Sequence, residues 1–193
     1  AGAALLERDL FIATQADDGY LGPFPKDIRL LKNWDLWGHY YALQALALWH
    51  QHTGDPAALA AARRAADLVC KTYLDTGRRV FDAGDSEMNM AILTGMAMMY
   101  RLTGEPRYLR MAREVEQDWE RAGDYLRAGL DGREYFQGPK PRWESLHDLQ
   151  GLLNFGASPA RRSIARRSFT IGGASGVGIG ATPARSVPAS RPR

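Results

Sequence analysis

Residues able to hold and cleave a polar ligand gather at a few places in this 193-residue chain. A first loop carries Asp17, Asp18 and Tyr20, and a stretch soon after it carries Trp34, Trp37, His39 and Tyr40. Asp85, Glu87 and Asn89 follow, then Tyr135, Gln137, Trp143, Glu144 and His147. Aromatic faces beside carboxylates and amides are how proteins hold sugars: rings stack on C–H faces while polar groups fix hydroxyls. Read that way, His39, His147, Asn89, Trp37, Tyr20, Asp18 and Glu144 are the candidate sugar contacts. Each also has a plainer reading. Trp37 and Tyr40 suit a core, His39 suits a hydrogen-bonded buried place, and Asp17–Asp18 suits a turn cap. Glycosidic cleavage uses two carboxylates flanking the bond, or an acid with another nucleophile. Asp18, Asp85, Glu87 and Glu144 are the carboxylates available, and the sequence alone does not choose among them.

The elements that must position these residues are written as a repeat. Thr53-Gly54-Asp55-Pro56 and Thr103-Gly104-Glu105-Pro106 carry the same punctuation fifty residues apart, each followed by an Arg-containing amphipathic run. Such self-similarity is the mark of stacked supersecondary units. Gly54 suits a left-handed helix stop, and Pro56 suits the first turn of the next helix. The spacing predicts helices over 4–16, from near Trp34 to the Thr-Gly turn, over 56–75, from Ser86 to the second turn, over 106–121, and from Glu144 onward. The segment "DTGRRVFDAGD" reads as a connection with room for a short strand. The helix preceding each Thr-Gly turn is apolar nearly all round and reads as buried. The helix following it carries a charged face and reads as outward-looking. Two layers of helices follow, with Gly turns on one rim and long aromatic loops on the other: an all-α fold of the toroid type. His39 and Asn89 are equivalent under the repeat and are expected to project from neighbouring inner helices at one height. His147 is roughly equivalent in a third unit. His50 and His52 fall near the opposite rim and read as turn residues.

Composition bounds the rest. No run of about 18 apolar residues is present, so no membrane-spanning helix is expected. No signal peptide is visible at the start of the chain, which leaves a cytoplasmic compartment as the default. Cys70 is the only cysteine, so no internal disulfide forms, and no metal motif is seen. The net charge of +3 hides a division: seven arginines and no acid lie beyond Phe155, leaving 18 basic against 22 acidic residues before it. Nucleic acid is therefore not the expected partner of the helical part, and the glycine run "GGASGVGIG" lacks the flanking strand and helix of a phosphate loop.

The stretches "QADDGYLGPFP", "LWGHYYALQALALWHQHTGD", "MYRLTGEPRYLRMAREVEQDWE" and "PKPRWESLHDLQGLL" together resemble the catalytic domain of the β-L-arabinofuranosidase glycoside hydrolases, over residues 4–155. The resemblance implies part of an (α/α)6 toroid and a carbohydrate substrate, with retaining hydrolysis by a zinc-bound cysteine nucleophile and a glutamate acid/base. It places Gly38-His39 where a glycine-histidine lines the sugar site, Asn89 where relatives can carry a histidine, and His147 at a third site position. Cys70 does not match the paired-cysteine segment that supplies the nucleophile. The zinc of the complete domain is thus expected to have no ligands in this chain, and the chain alone is expected to be inactive.

Residues 1–155 accordingly read as a partial toroid domain, and 156–193 as an irregular basic tail. Two readings of the tail stand side by side. Its Gly/Ser/Pro/Arg composition suits a disordered extension. Alternatively it is translated out of frame. Read from the third base of each codon in a GC-rich gene, Ala157 to Arg161 can encode Val-Thr-Gly-Glu, the missing third turn. Ser168 to Gly172 can then encode Val-His-His-Trp, and Pro183 to Ser190 a loop similar to one carrying the family's active-site glutamate. The lesion would be a single base near Asn154. Rival readings of function are another toroid sugar enzyme, an unsaturated glucuronyl hydrolase or a sugar epimerase, and a non-enzymatic helical-repeat binding module.

Overall fold

The computed structural model describes residues 2–123, 128, 131–137, 146–147 and 150–151. Among these the regular structure is all helical: α1 (Gly2–Ala13), α2 (Asp35–Thr53), α3 (Pro56–Tyr73), α4 (Ser86–Asn89), α5 (Ile92–Thr103) and α6 (Pro106–Ala122), with 3₁₀ turns at Val80–Asp82 and Tyr135–Gln137. The tail from residue 152, and with it both readings of that segment, lies outside the described residues.

Every letter of the repeated turn has a physical task. Gly54 and Gly104 take left-handed φ of 73° and 70°, and their N–H groups reach His50 O and Tyr100 O. Only glycine adopts that conformation without strain. The Thr53 hydroxyl donates to Trp49 O at 2.7 Å and accepts from Asp55 N at 3.2 Å. Thr103 does the same with Met99 O and Glu105 N. Asp55 and Glu105 then cap the following helices through Ala57 N and Arg107 N, with proline in the first turn.

The two hairpins stack side by side. α2 packs on α3, α5 on α6, α2 on α5, and α3 on α6. Ala58, Ala61, Ala62, Ala65 and Ala66 are all fully buried on α3, and their small side chains let neighbouring helices come close. α1 runs alongside α3: Arg8 pairs with Asp55, and Gln15 donates to Ala61 O at 2.9 Å. α5 is buried from Ile92 through Met99, as an inner helix should be.

Several boundaries differ from expectation. α1 ends at Ala13, and α3 stops at Tyr73 because Asp75 takes a φ of +62°. The inner helix of the second hairpin is broken after Asn89, where Leu93 N and Thr94 N bond three residues back, to Met90 O and Ala91 O, in a tightened turn. The connection from Leu74 to Asp85 holds no strand. Arg79 straps it to α6 through Asp118 at 2.9 Å and Glu114 O at 2.7 Å.

Candidate functional site

The first loop is fixed from beneath by Asp35, in the first turn of α2 and almost wholly buried. Its two oxygens accept from the Tyr20 hydroxyl at 2.6 Å and from Leu30 N at 2.7 Å. The Tyr20 hydroxyl also accepts from Phe24 N at 3.0 Å. Burial first, and then the Asp35 carboxylate, push the Tyr20 phenol above its ordinary pKa, so it stays a donor. The Arg29 guanidinium lies 4.4 Å above the Tyr20 ring and pairs with Asp18 at 2.8 Å. Partial burial opposes ionisation of Asp18, but Tyr20 N–H and Arg29 outweigh it and hold the carboxyl below its ordinary value. Asp18 is thus a turn anchor, with one oxygen on Tyr20 N and the other on Arg29.

His39 and Asn89 do not project side by side from the rim. His39 is 0% exposed, stacks on Tyr20 at 5.8 Å, and sets Nε2 3.1 Å from Ala65 O of α3. Its helical position turns it toward the outer layer. Burial outweighs the Ala65 and Leu21 backbone groups and lowers its pKa, which favours neutral imidazole. Asn89 is also 0% exposed. Its Oδ1 accepts from Trp37 N at 3.2 Å, and its Nδ2 donates to Asn33 O at 2.9 Å and Ala83 O at 3.1 Å. Trp34, the N-cap of α2, makes no side-chain cap bond. Asn89 supplies from the second hairpin the acceptor that a cap residue ordinarily gives to the third helical N–H. Tyr20, His39 and Asn89 therefore form a buried support in this structure and offer no surface to a ligand.

What the structure does bring together is Trp37 and His147, both half-buried, and the exposed Tyr41. Trp37 meets His147 edge-on at 5.0 Å and Tyr41 at 5.2 Å, and Tyr41 meets His147 at 6.1 Å. Tyr40 closes the group from below, 4.9 Å from Tyr41. His147 belongs to the third segment, helical where described, and its carbonyl accepts from the Thr94 hydroxyl of α5 at 2.8 Å. Tyr41 escaped the reading from sequence, although its spacing of four from Trp37 and seven from Trp34 sets it on their side of the helix.

Of the four carboxylates, Asp18 is engaged in the loop and Asp85 is exposed. Glu87 is 8% exposed on α4, two residues before Asn89. Glu144 lies outside the described residues, as does Trp143. Cys70 is buried near Arg107 O, and burial pushes its thiol up to about 12, so it does not act as a nucleophile at neutral pH. Among the described residues no three His, Cys, Asp or Glu side chains are grouped to hold a metal. No described helix is long and apolar enough to cross a membrane.

The family model described as "Beta-L-arabinofuranosidase, GH127 catalytic domain" matches residues 8–144. No curated protein and no solved structure matches the chain.

Proposed function

Because the chain belongs to the GH127 β-L-arabinofuranosidase catalytic-domain family, a helical-toroid glycoside hydrolase family, we propose that it contributes to hydrolysis of β-L-arabinofuranosides in plant-derived glycans. The observation that carries this reading is the juxtaposition of Trp37, Tyr41 and His147 at one rim of two stacked hairpins. Trp37 offers an apolar edge for sugar C–H groups, and His147 a polar ring for hydroxyls. Tyr20, Asp18, His39 and Asn89 act one layer deeper, holding the loop and the start of α2 so that this face keeps its shape. Glu87 and Glu144 remain the carboxylates from which an acid/base would be drawn.

This polypeptide binds the sugar without turning it over, since Cys70 is its only cysteine and is buried with a raised pKa. Two measurements on the 193-residue chain test the reading: release of nitrophenol from a nitrophenyl β-L-arabinofuranoside, and saturation-transfer NMR with the same glycoside. Binding without release, lost in His147→Ala, is the expected result. Nitrophenol release above a heat-inactivated blank would overturn the division of labour. Absence of binding to any arabinofuranoside would overturn the sugar-site reading. Salt-sensitive capture of DNA or RNA in its place would favour the helical-repeat binding module.

A further inference from the structure

Three non-glycine residues among those described take a left-handed backbone: Leu30, Asn33 and Asp75, at φ of 60°, 54° and 62°. Asparagine and aspartate tolerate that region because a short polar side chain can bond locally. Leucine has no such relief, and its Cβ crowds the following carbonyl oxygen. Leu30 is nonetheless held there firmly. Its N–H donates to Asp35 Oδ2 at 2.7 Å, and its carbonyl accepts from the Tyr73 hydroxyl. Both partners are almost wholly buried, one at the start of α2 and the other at the end of α3, and the Leu30 side chain is 1% exposed. The residues before it are fixed differently. Gly22, Pro23, Pro25, Lys26 and Asp27 are exposed, and Ile28 N and Leu31 N only close short turns onto Pro25 O and Ile28 O. Phe24 N reaches the helices through the Tyr20 hydroxyl and the other oxygen of Asp35.

We propose that residues 22–32 are a loaded strap, and that Asp35 and Tyr73 are the catch that keeps Leu30 in its strained state. Strained backbone persists only where its surroundings over-determine it, and it clusters in segments that switch between two states. Strain in the closed state narrows the gap to an open one, so a small loss at the catch shifts the population. Asp35 makes the strap move as one piece, because its two oxygens hold Leu30 N and, through Tyr20, Phe24 N. The far end is pinned separately. Asn33 O accepts from Asn89 Nδ2 at 2.9 Å, and a Cβ on Gly84 would stand 2.9 Å from Asn33 N, so glycine there lets the two backbones meet. The hinge on that side therefore lies between Leu30 and Asn33, directly before Trp34 and α2. Opening bares the buried Tyr20 ring, which the strap residue Arg29 covers at 4.4 Å when closed. The device stands on backbone geometry and holds whether or not the chain binds a sugar.

Limited trypsin digestion of the 193-residue chain, with cut sites read by mass spectrometry, tests the strap. Lys26, Arg29 and Lys32 lie on it, and the exposed Arg63 of α3 and Arg113 of α6 serve as controls. Tyr73→Phe keeps the ring and removes only the catch hydroxyl. It should speed cutting on the strap by about fivefold to tenfold, the scale of one net hydrogen bond, and leave both controls unchanged. Leu30→Asn and Leu30→Thr lose the same buried packing, but only asparagine tolerates the left-handed backbone. Leu30→Asn should therefore be cut several-fold more slowly on the strap than Leu30→Thr. In the wild type, amide exchange should give Phe24 and Leu30 one common protection factor, below that of the α3 interior. That measurement decides even if Tyr73→Phe fails to fold. Strap cutting unchanged by Tyr73→Phe, or raised equally at Arg63 and Arg113, would overturn the catch. Equal cutting of the two Leu30 variants would overturn the loading, and unequal protection at Phe24 and Leu30 would overturn movement as one piece.

Discussion

Replacing Asn89 by alanine should loosen the start of α2 from a position more than fifty residues away in sequence. The substitution removes the acceptor for Trp37 N and the donors to Asn33 O and Ala83 O, in a place with no exposure to solvent. A lost N-cap is worth about 1 kcal/mol. The buried Ala83 carbonyl left without its donor adds about 1 kcal/mol more, and the part-buried Asn33 carbonyl up to about as much. The expected loss is therefore about 3 kcal/mol, or a fall in Tm of roughly 6–12 °C for a chain of this size. Thermal unfolding followed by circular dichroism gives the total, and amide exchange at Trp37 gives the local effect. Asn89→Asp sharpens the test. It keeps an oxygen for Trp37 N but turns a second, charged oxygen on two carbonyls, so at neutral pH it should be worse than alanine. A loss below about 1 kcal/mol in Asn89→Ala, with unchanged exchange at Trp37, would refute the view that α2 is capped from the neighbouring hairpin.

Other expectations follow from the same structure. Arg79→Met should destabilise by about 3 kcal/mol in urea titration, because it leaves the buried Asp118 carboxylate unpaired, and Arg79→Met with Asp118→Leu should recover much of that loss. Gly54→Ala should cost about 1 kcal/mol for its left-handed φ, whereas Gly38→Ala should add up to about 1 kcal/mol, opposite signs that thermal melts will resolve. His39 has a folded pKa below its unfolded value of 6.5, so the unfolded chain takes up its proton first. Stability should therefore decline as pH falls below 6.5, and His39→Gln should flatten that part of the stability–pH curve. An unchanged slope would show that His39 is not held neutral in the fold.

The hairpins were legible because their turns are local chemistry: a left-handed glycine, a capping acid and a proline within four residues leave few conformations open. The layer assignment was legible for α5, which is buried from Ile92 through Met99, but not for α2, where Trp34, Gly38, Tyr41, Ala45 and Leu48 stay exposed. The break after Asn89 was not, since "SEMNMAILTG" reads as unbroken helix and the interrupting bonds come from Trp37, Asn33 and Ala83. Repeat equivalence set His39 and Asn89 at one height, but height along an axis does not fix rotation about it. One hundred degrees per residue separates His39, turned to Ala65 O, from its exposed neighbour Gly38. Tyr41 was passed over because a tyrosine among tyrosines reads as core until its exposure is known. The approach of His147 to α2 depends on a third segment crossing α5, a long-range relation that no local pattern encodes.

The duplicated Thr-Gly-acid-Pro turn also bears on how the molecule comes into being. Each turn closes its hairpin with contacts only a few residues apart, so each pair of helices can zip as the ribosome delivers it. Neighbouring pairs then dock in order, as in other stacked-repeat proteins. The aromatic rim follows a different clock. Trp37 and Tyr41 are in place once the first pair has formed, Asn89 secures them with the second, and His147 arrives only with the third. The packing of His147 against Trp37 and Tyr41 is thus the last of these contacts to form during synthesis.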